Sequence, residues 1–224
     1  MFKDVLENVS RCDKIKIENK NLKWGKMAQT EITVQIFEDI EKVIAKVQSL
    51  GYAWKDTFTG KDIYFSTLSL SEVKNASYKD LIDSSVIIRE FDKKSTGDHK
   101  TMLVHKKKTL DDDGRVVGEV KSSVEIDSSE KAHTLLSNAG LVNWMTLLQQ
   151  NSFYVSGEKT IIIGTVDGLE GTFVEIEEYD SIKEKSNEEK FKILCEFVKS
   201  LGFKLGDDFS CKKIYMLYNK NKKA

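Results

Sequence analysis

Glu31-Ile32-Thr33-Val34-Gln35-Ile36 alternates polar residues with isoleucine or valine without a break, and Phe173-Val174-Glu175-Ile176-Glu177 repeats the pattern late in the chain. Side chains two apart on a strand share a face. Glu31, Thr33 and Gln35 therefore project to one side of the first segment, with the apolar residues on the other. On the second, Glu175 and Glu177 stand close enough to share a cation. A half-exposed strand with its polar face in water accounts for the same alternation.

Alternation also reads as strands over residues 62–66, 85–91, 100–109, 116–126, 152–156, 159–166 and 212–218, and extends the two opening segments to 30–37 and 173–179. Asp111-Asp112-Asp113-Gly114 reads as a hairpin turn. Three stretches change to helical spacing. Ile40, Val43, Ile44, Val47 and Leu50 mark one over 38–50, and Ala132, Leu135, Leu136 and Ala139 mark another over 128–139. The third, 187–201, is opened by Ser186 with Glu189 three residues on, a capping-box pattern. Each is followed by a glycine, at 51, 140 and 202, suited to end it. The chain is a β-rich α+β protein. Strand, helix, glycine and strand over Glu31–Phe65 recur over Val124–Tyr154, which predicts two related halves of one domain. Residues 66–83 read as a long loop carrying a short helix. The expected division is an N-terminal extension over 1–29 with a candidate strand at Ile15–Glu18, a domain over 30–218 and a tail over 219–224.

Composition narrows the function. The 224 residues are 40% hydrophobic and 32% charged, within the globular range, and 35 cationic groups face 36 acidic ones. That balance argues against nucleic-acid binding through overall basic charge, so any polyanion site is local. There is no proline, leaving turns to Gly, Asn, Asp and Ser. Only Arg11, Arg89 and Arg115 are arginines, which limits guanidinium clamping of phosphate. Cys12, Cys195 and Cys211 form no C-x-x-C pair, and the odd number suits a reducing compartment. Met1-Phe2-Lys3-Asp4 leads into mixed polar sequence, and nowhere are there about 18 consecutive apolar residues. The expectation is a cytoplasmic protein with no membrane contact. His99, His105 and His133 have no carboxylate or cysteine at zinc-ligand spacing.

Taken in order, Glu31-x-Thr33-x-Gln35, the helix reaching Leu50-Gly51, Asp62-Ile63-Tyr64-Phe65, Ile88-Arg89, Leu103-x-x-Lys106, and Val166-x-Gly168-Leu169 leading to Phe173-x-Glu175-Ile176-Glu177 resemble the CYTH family. These are the class IV adenylate cyclases and thiamine triphosphatases, also called triphosphate tunnel metalloenzymes. The resemblance spans residues 30–218. It implies a closed antiparallel eight-stranded β-barrel with helices packed outside and a polar tunnel for a triphosphate and a divalent metal. Such a tunnel inverts the usual barrel, with charged faces inward and apolar faces outward beneath helices. Inward glutamates need Mg²⁺ or Mn²⁺ to offset their repulsion, and inward Lys and Arg meet the phosphates. Carried over residue by residue, Glu31, Glu175 and Glu177 are the metal ligands, and Arg89, Lys106 and Lys121 the phosphate contacts. Related cyclases imply a homodimer.

The chain departs from that pattern. Where the family has Glu-x-Glu-x-Lys, Thr33 replaces the second glutamate and Gln35 the lysine. Where it has two arginines two apart, only Arg89 follows Ile87; Gln149 and Asn151 occupy a Lys-x-Arg pair. Glu119-x-Lys121-x-Ser123 aligns with an Arg-x-Glu-x-Glu strand, and Ile163-Gly164 with a Leu-Asp pair. Lysine supplies a point charge but not a planar fork. Thr33, Gln35, Gln149 and Asn151 are suited to hydrogen-bond a ligand without strong charge. Three readings follow: a divergent protein binding a nucleotide or polyphosphate with weak or absent turnover, an active metal-dependent triphosphate hydrolase or adenylate cyclase, and a structural or protein-binding barrel.

Overall fold

Every alternating segment but one forms a strand in the computed structural model, which describes residues 30–83, 85–110 and 116–223. The strands are β1 (Glu31–Ile36), β2 (Ala53–Ser66), β3 (Ser85–Lys93), β4 (His99–Leu110), β5 (Val116–Ile126), β6 (Val142–Ser156), β7 (Lys159–Val166) and β8 (Thr172–Glu177). β2 and β6 run well beyond their predicted cores because they pair with each other, Ala53 opposite Val155 through to Ser66 opposite Val142. The helices are α1 (Ile40–Ser49), α2 (Leu70–Val73), α3 (Tyr78–Asp83), α4 (Ser129–Asn138), α5 (Asn187–Ser200) and α6 (Lys213–Lys223). Residues 66–83 thus carry two short helices. The capping box of α5 forms as its sequence predicts: Glu189 N donates to Ser186 Oγ at 3.3 Å, and Ser186 N to Glu189 Oε2 at 3.0 Å. The expected extension 1–29, its candidate strand, the 111–114 turn and Arg115 lie outside the described residues.

The exception is residues 212–218, expected as a strand and found in α6. Ile214, Leu217 and Tyr218 are spaced as one helix face, and all three are buried. Tyr218 Oη fixes that face by donating to the Val73 carbonyl at 2.6 Å. The helix continues to Lys223, beyond the expected boundary at 218.

All strand pairs are antiparallel, in the order β1-β8-β7-β6-β2-β3-β4-β5. Exchanging each of β1 to β4 with the strand four later reproduces this order read backwards. The two sequence halves are therefore related within one sheet, meeting at the β2–β6 ladder. The closed barrel is found only in part. The sheet curls so that residues of both edge strands, Glu31 and Lys121, face one cavity. Yet β1 and β5 make no ladder with each other among the described residues. The outer edge of β1 is occupied by the chain before α6: Thr33 N donates to Phe209 O, Cys211 N to Thr33 O, Gly206 N to Gln35 O and Phe37 N to Lys204 O. Backbone groups satisfied in this way cannot pair with β5.

Alternation puts the apolar faces outward under helices. Ile32, Val34, Val174 and Ile176 are fully buried beneath Val43 and Val47 of α1 and Leu194 and Val198 of α5. Each such side chain contributes about 1.5–3 kcal/mol by burial. On the other half, Ala132 and Leu136 of α4 cover Ile63, Phe65 and Ile88, while Leu135 stays 68% exposed. The inner face is divided. Tyr64, Ile87, Leu147 and Phe173 pack with Ile214, Leu217 and Tyr218 of α6 and with residues of α2 and α3, forming an apolar plug at one end. The polar cavity lies against that plug.

Candidate functional site

The cavity has a volume of about 550 Å³ and takes residues from all eight strands, from α3 and from the start of α6. Strand alternation selects them: Asp62 and Tyr64 on β2, Ile87 and Arg89 on β3, Gln149 and Asn151 on β6, and Glu175 and Glu177 on β8 face inward in pairs two apart. Of the residues singled out in the sequence, Glu31, Thr33, Arg89, Lys106, Lys121, Gln149, Asn151, Glu175 and Glu177 line it together. Gln35 does not. Its amide nitrogen donates to the Glu170 carbonyl at 2.6 Å, which ties β1 to the turn before β8.

Register sets the charges against one another. Glu31 lies opposite Glu177, and Thr33 opposite Glu175, on the β1–β8 ladder. On the other edge Lys106 lies opposite Lys121. Carboxylates from one side of the curled sheet and ammonium groups from the other thus face a common space.

Two ion pairs change the roles expected from sequence. Arg89 Nε and Nη2 donate to the two carboxylate oxygens of Asp62 at 2.6 and 2.5 Å, a bidentate fork with Asp62 only 1% exposed. The guanidinium expected to meet phosphate is therefore held largely by its own sheet. Lys213, at the first position of α6, pairs with Glu175 and also donates to Gln149 Oε1 at 2.7 Å. Gln149 stands where the family pattern has a lysine, and an ammonium reaches that place from a different element. Neither Asp62 nor Lys213 was recognised as a site residue from the sequence. Asp62 was visible as the residue sharing a strand face with Tyr64. Lys213 was hidden because its segment reads as a strand.

Three further features shape the chemistry. Asn151 Oδ1 is buried without a hydrogen-bond partner and packs over Gly164, its opposite number on β7. Cys211 lines the cavity, but burial, aided by the charge of Asp208, pushes its thiol pKa up, so it is protonated at neutral pH and a poor nucleophile. Among the described residues, no group of three or more His, Cys, Asp or Glu side chains is placed to hold a metal ion. The arrangement can hold an anion among lysines and neutral hydrogen-bonding groups.

Compared by sequence, the chain matches no family model and no curated protein. Compared by structure, it matches the PH1819 protein of Pyrococcus horikoshii OT3 with a TM-score of 0.63 and 20% identity over 85% of this chain and 99% of that one. A "putative adenylate cyclase" of Vibrio parahaemolyticus matches with a TM-score of 0.57 and 14% identity over 86% and 99% of the two chains. This is the fold of the CYTH proteins. HpAC1 of Hippeastrum, a "putative adenylyl cyclase" with "a dominant triphosphatase activity", matches with a TM-score of 0.57 and 17% identity over 86% and 96%. At these identities the likeness establishes the CYTH fold and leaves the chemistry to the side chains. No described helix is long and apolar enough to cross a membrane.

Proposed function

We propose that this chain is a cytoplasmic CYTH-type protein that binds a nucleotide or other phosphorylated anion, inorganic polyphosphate included, with little or no turnover. The observation that carries the reading is the convergence of Lys106 of β4, Lys121 of β5 and Lys212 before α6 on one polar cavity, although the whole chain is electrically balanced. Five cationic side chains, Arg89, Lys106, Lys121, Lys212 and Lys213, line the cavity with four carboxylates, Glu31, Asp62, Glu175 and Glu177, and a small local excess of positive charge in a partly enclosed site favours an anion. A volume near 550 Å³ suits a small ligand. Ser123 and Gln149 add neutral hydrogen-bonding groups.

Turnover asks more than binding does, because groups must meet the charge that develops in the transition state. Here Arg89 is engaged by Asp62, Glu175 by Lys213, and Thr33 stands where the family pattern has a carboxylate. The divalent ion implied by the resemblance would rely on Glu31, Glu175 and Glu177, of which Glu175 already has a cationic partner. The triphosphatase activity of HpAC1 makes a triphosphate the first ligand to test and keeps a metal-dependent hydrolase or cyclase as the second reading.

Calorimetry with inorganic tripolyphosphate and ATP tests the proposal. Binding is expected, weakened at least about tenfold in Lys106→Ala with Lys121→Ala, each lost charged hydrogen bond being worth about 1.5–3 kcal/mol. Phosphate release and cyclic AMP formation should stay at background. Metal-dependent turnover abolished by Glu175→Gln with Glu177→Gln would establish the enzyme reading instead, and no anion binding at all would favour a structural barrel.

A further inference from the structure

We propose that the ammonium of Lys213 is a resident cation of this cavity, taking the place of a divalent metal, so that anion binding is metal-independent. The inference rests on the anion-binding reading. Lys213 Nζ pairs with Glu175 on β8 and donates to Gln149 Oε1 on β6 at 2.7 Å, bridging the strands on either side of β7. The two charged side chains are only 13% and 20% exposed. Water therefore does little to screen their attraction.

The donor set around Glu175 does not suit a divalent ion. Mg²⁺ requires near-octahedral oxygen ligands, supplied in part by carboxylates with charge to spare. Glu175 is already neutralised, and its neighbour across the ladder is Thr33 rather than a carboxylate. The described residues offer no group of three acidic or other metal-ligating side chains. Taking up a metal at Glu175 would require expelling Lys213 from this place.

The lysine is also well positioned for the role. It begins a helix whose Ile214, Leu217 and Tyr218 are buried in the apolar plug, so the ammonium is carried on a packed element. An ammonium has three donors. Glu175 and Gln149 take two, and the third is the one an anion oxygen in the cavity would accept. The Gln149–Lys213 contact restores charge that a glutamine on β6 cannot supply. The charge now depends on α6 being docked.

Two measurements on the full chain test this, using Mn²⁺ alone and tripolyphosphate as separate probes. Wild-type protein should take up no Mn²⁺ by electron paramagnetic resonance at millimolar metal, and its tripolyphosphate affinity, measured without added metal, should be the same with and without EDTA. Lys213→Met should lose at least about tenfold in tripolyphosphate affinity in EDTA. Lys213→Arg, which keeps the charge, should resemble wild type. Stoichiometric Mn²⁺ uptake by wild type that Glu175→Gln abolishes, or tripolyphosphate binding that disappears in EDTA, overturns the proposal while leaving anion binding intact. Both wild-type results hold even if Lys213→Met fails to fold. If wild type binds no tripolyphosphate under either condition, anion binding is refuted, and Mn²⁺ uptake alone then decides whether Lys213 occupies the cation's place.

Discussion

Gly164→Ala places a methyl group where the cavity wall has no room. Gly164 is not among the positive-φ glycines, so its backbone would accept alanine; the obstacle is Asn151, directly opposite on β6. A Cβ at 164 would stand 2.0 Å from Asn151 Oδ1 and 2.8 Å from the Gln150 carbonyl oxygen, where ordinary contact begins at 3.4 Å. Asn151 Oδ1 has no hydrogen-bond partner to hold it, so the side chain can turn aside, at about 0.5–1.5 kcal/mol if it leaves its rotamer. The Gln150 carbonyl is backbone within the β6–β7 ladder and must shift with its strand. Overpacking of this kind costs about 1–3 kcal/mol, and with two contacts violated a loss near 2 kcal/mol is expected. Asn151→Ala alone should be nearly neutral, because it deletes an acceptor whose unsatisfied burial costs about 1–3 kcal/mol where it stands. In that background Gly164→Ala retains only the Gln150 contact and should cost about 1 kcal/mol, a coupling near 1 kcal/mol. Urea unfolding of the four proteins, with unchanged denaturant slopes, gives these differences directly. Equal cost with and without Asn151, or a Gly164→Ala protein within about 0.5 kcal/mol of wild type, would refute the packing argument.

Asp62→Ala leaves the Arg89 fork without its carboxylate. Breaking a buried pair costs about 3–5 kcal/mol, and since Arg89 is 23% exposed water offsets part of it, so a loss of about 2–4 kcal/mol is expected by chemical denaturation. A loss under about 0.5 kcal/mol would show that Asp62 does not hold Arg89. Asp56 adds a pH dependence. Burial raises its pKa, but hydrogen bonds from the Ser95 hydroxyl and the amides of Thr57 and Ser95, with Lys93 beside it, outweigh burial and hold it below the ordinary value. A depressed folded-state pKa stabilises above the unfolded value and loses that effect as pH falls through the folded one. The stability gap between wild type and Asp56→Asn should therefore close on acidification through the carboxylate range; a gap independent of pH there contradicts the assignment.

Local rules account for what was legible. Alternation at Glu31–Ile36 and Phe173–Glu177 was enough to sort inward from outward residues, because strand pleating acts residue by residue. The capping box at Ser186 and Glu189 likewise marked the start of α5. Nine of the ten site residues chosen on strand faces share the cavity, and the tenth, Gln35, sits on the inward-facing side but is drawn to the Glu170 carbonyl. Other features were decided by contacts between distant parts of the chain. Residues 212–218 contain isoleucine and tyrosines that suit a strand as well as a helix; the apolar plug selects the helix by burying Ile214, Leu217 and Tyr218 on one side. The absence of a β1–β5 ladder among the described residues goes with residues 204–211 occupying the outer edge of β1. The occupation of Arg89 by Asp62 and of Glu175 by Lys213 follows from strand register and helix docking, which bring together charges far apart in sequence. Sequence alone determined which strand side chains face inward, since that is a matter of local periodicity. Tertiary structure determined which charges already have partners there, since pairing energy depends on distances and burial that arise only once the sheet has curled and α6 has docked.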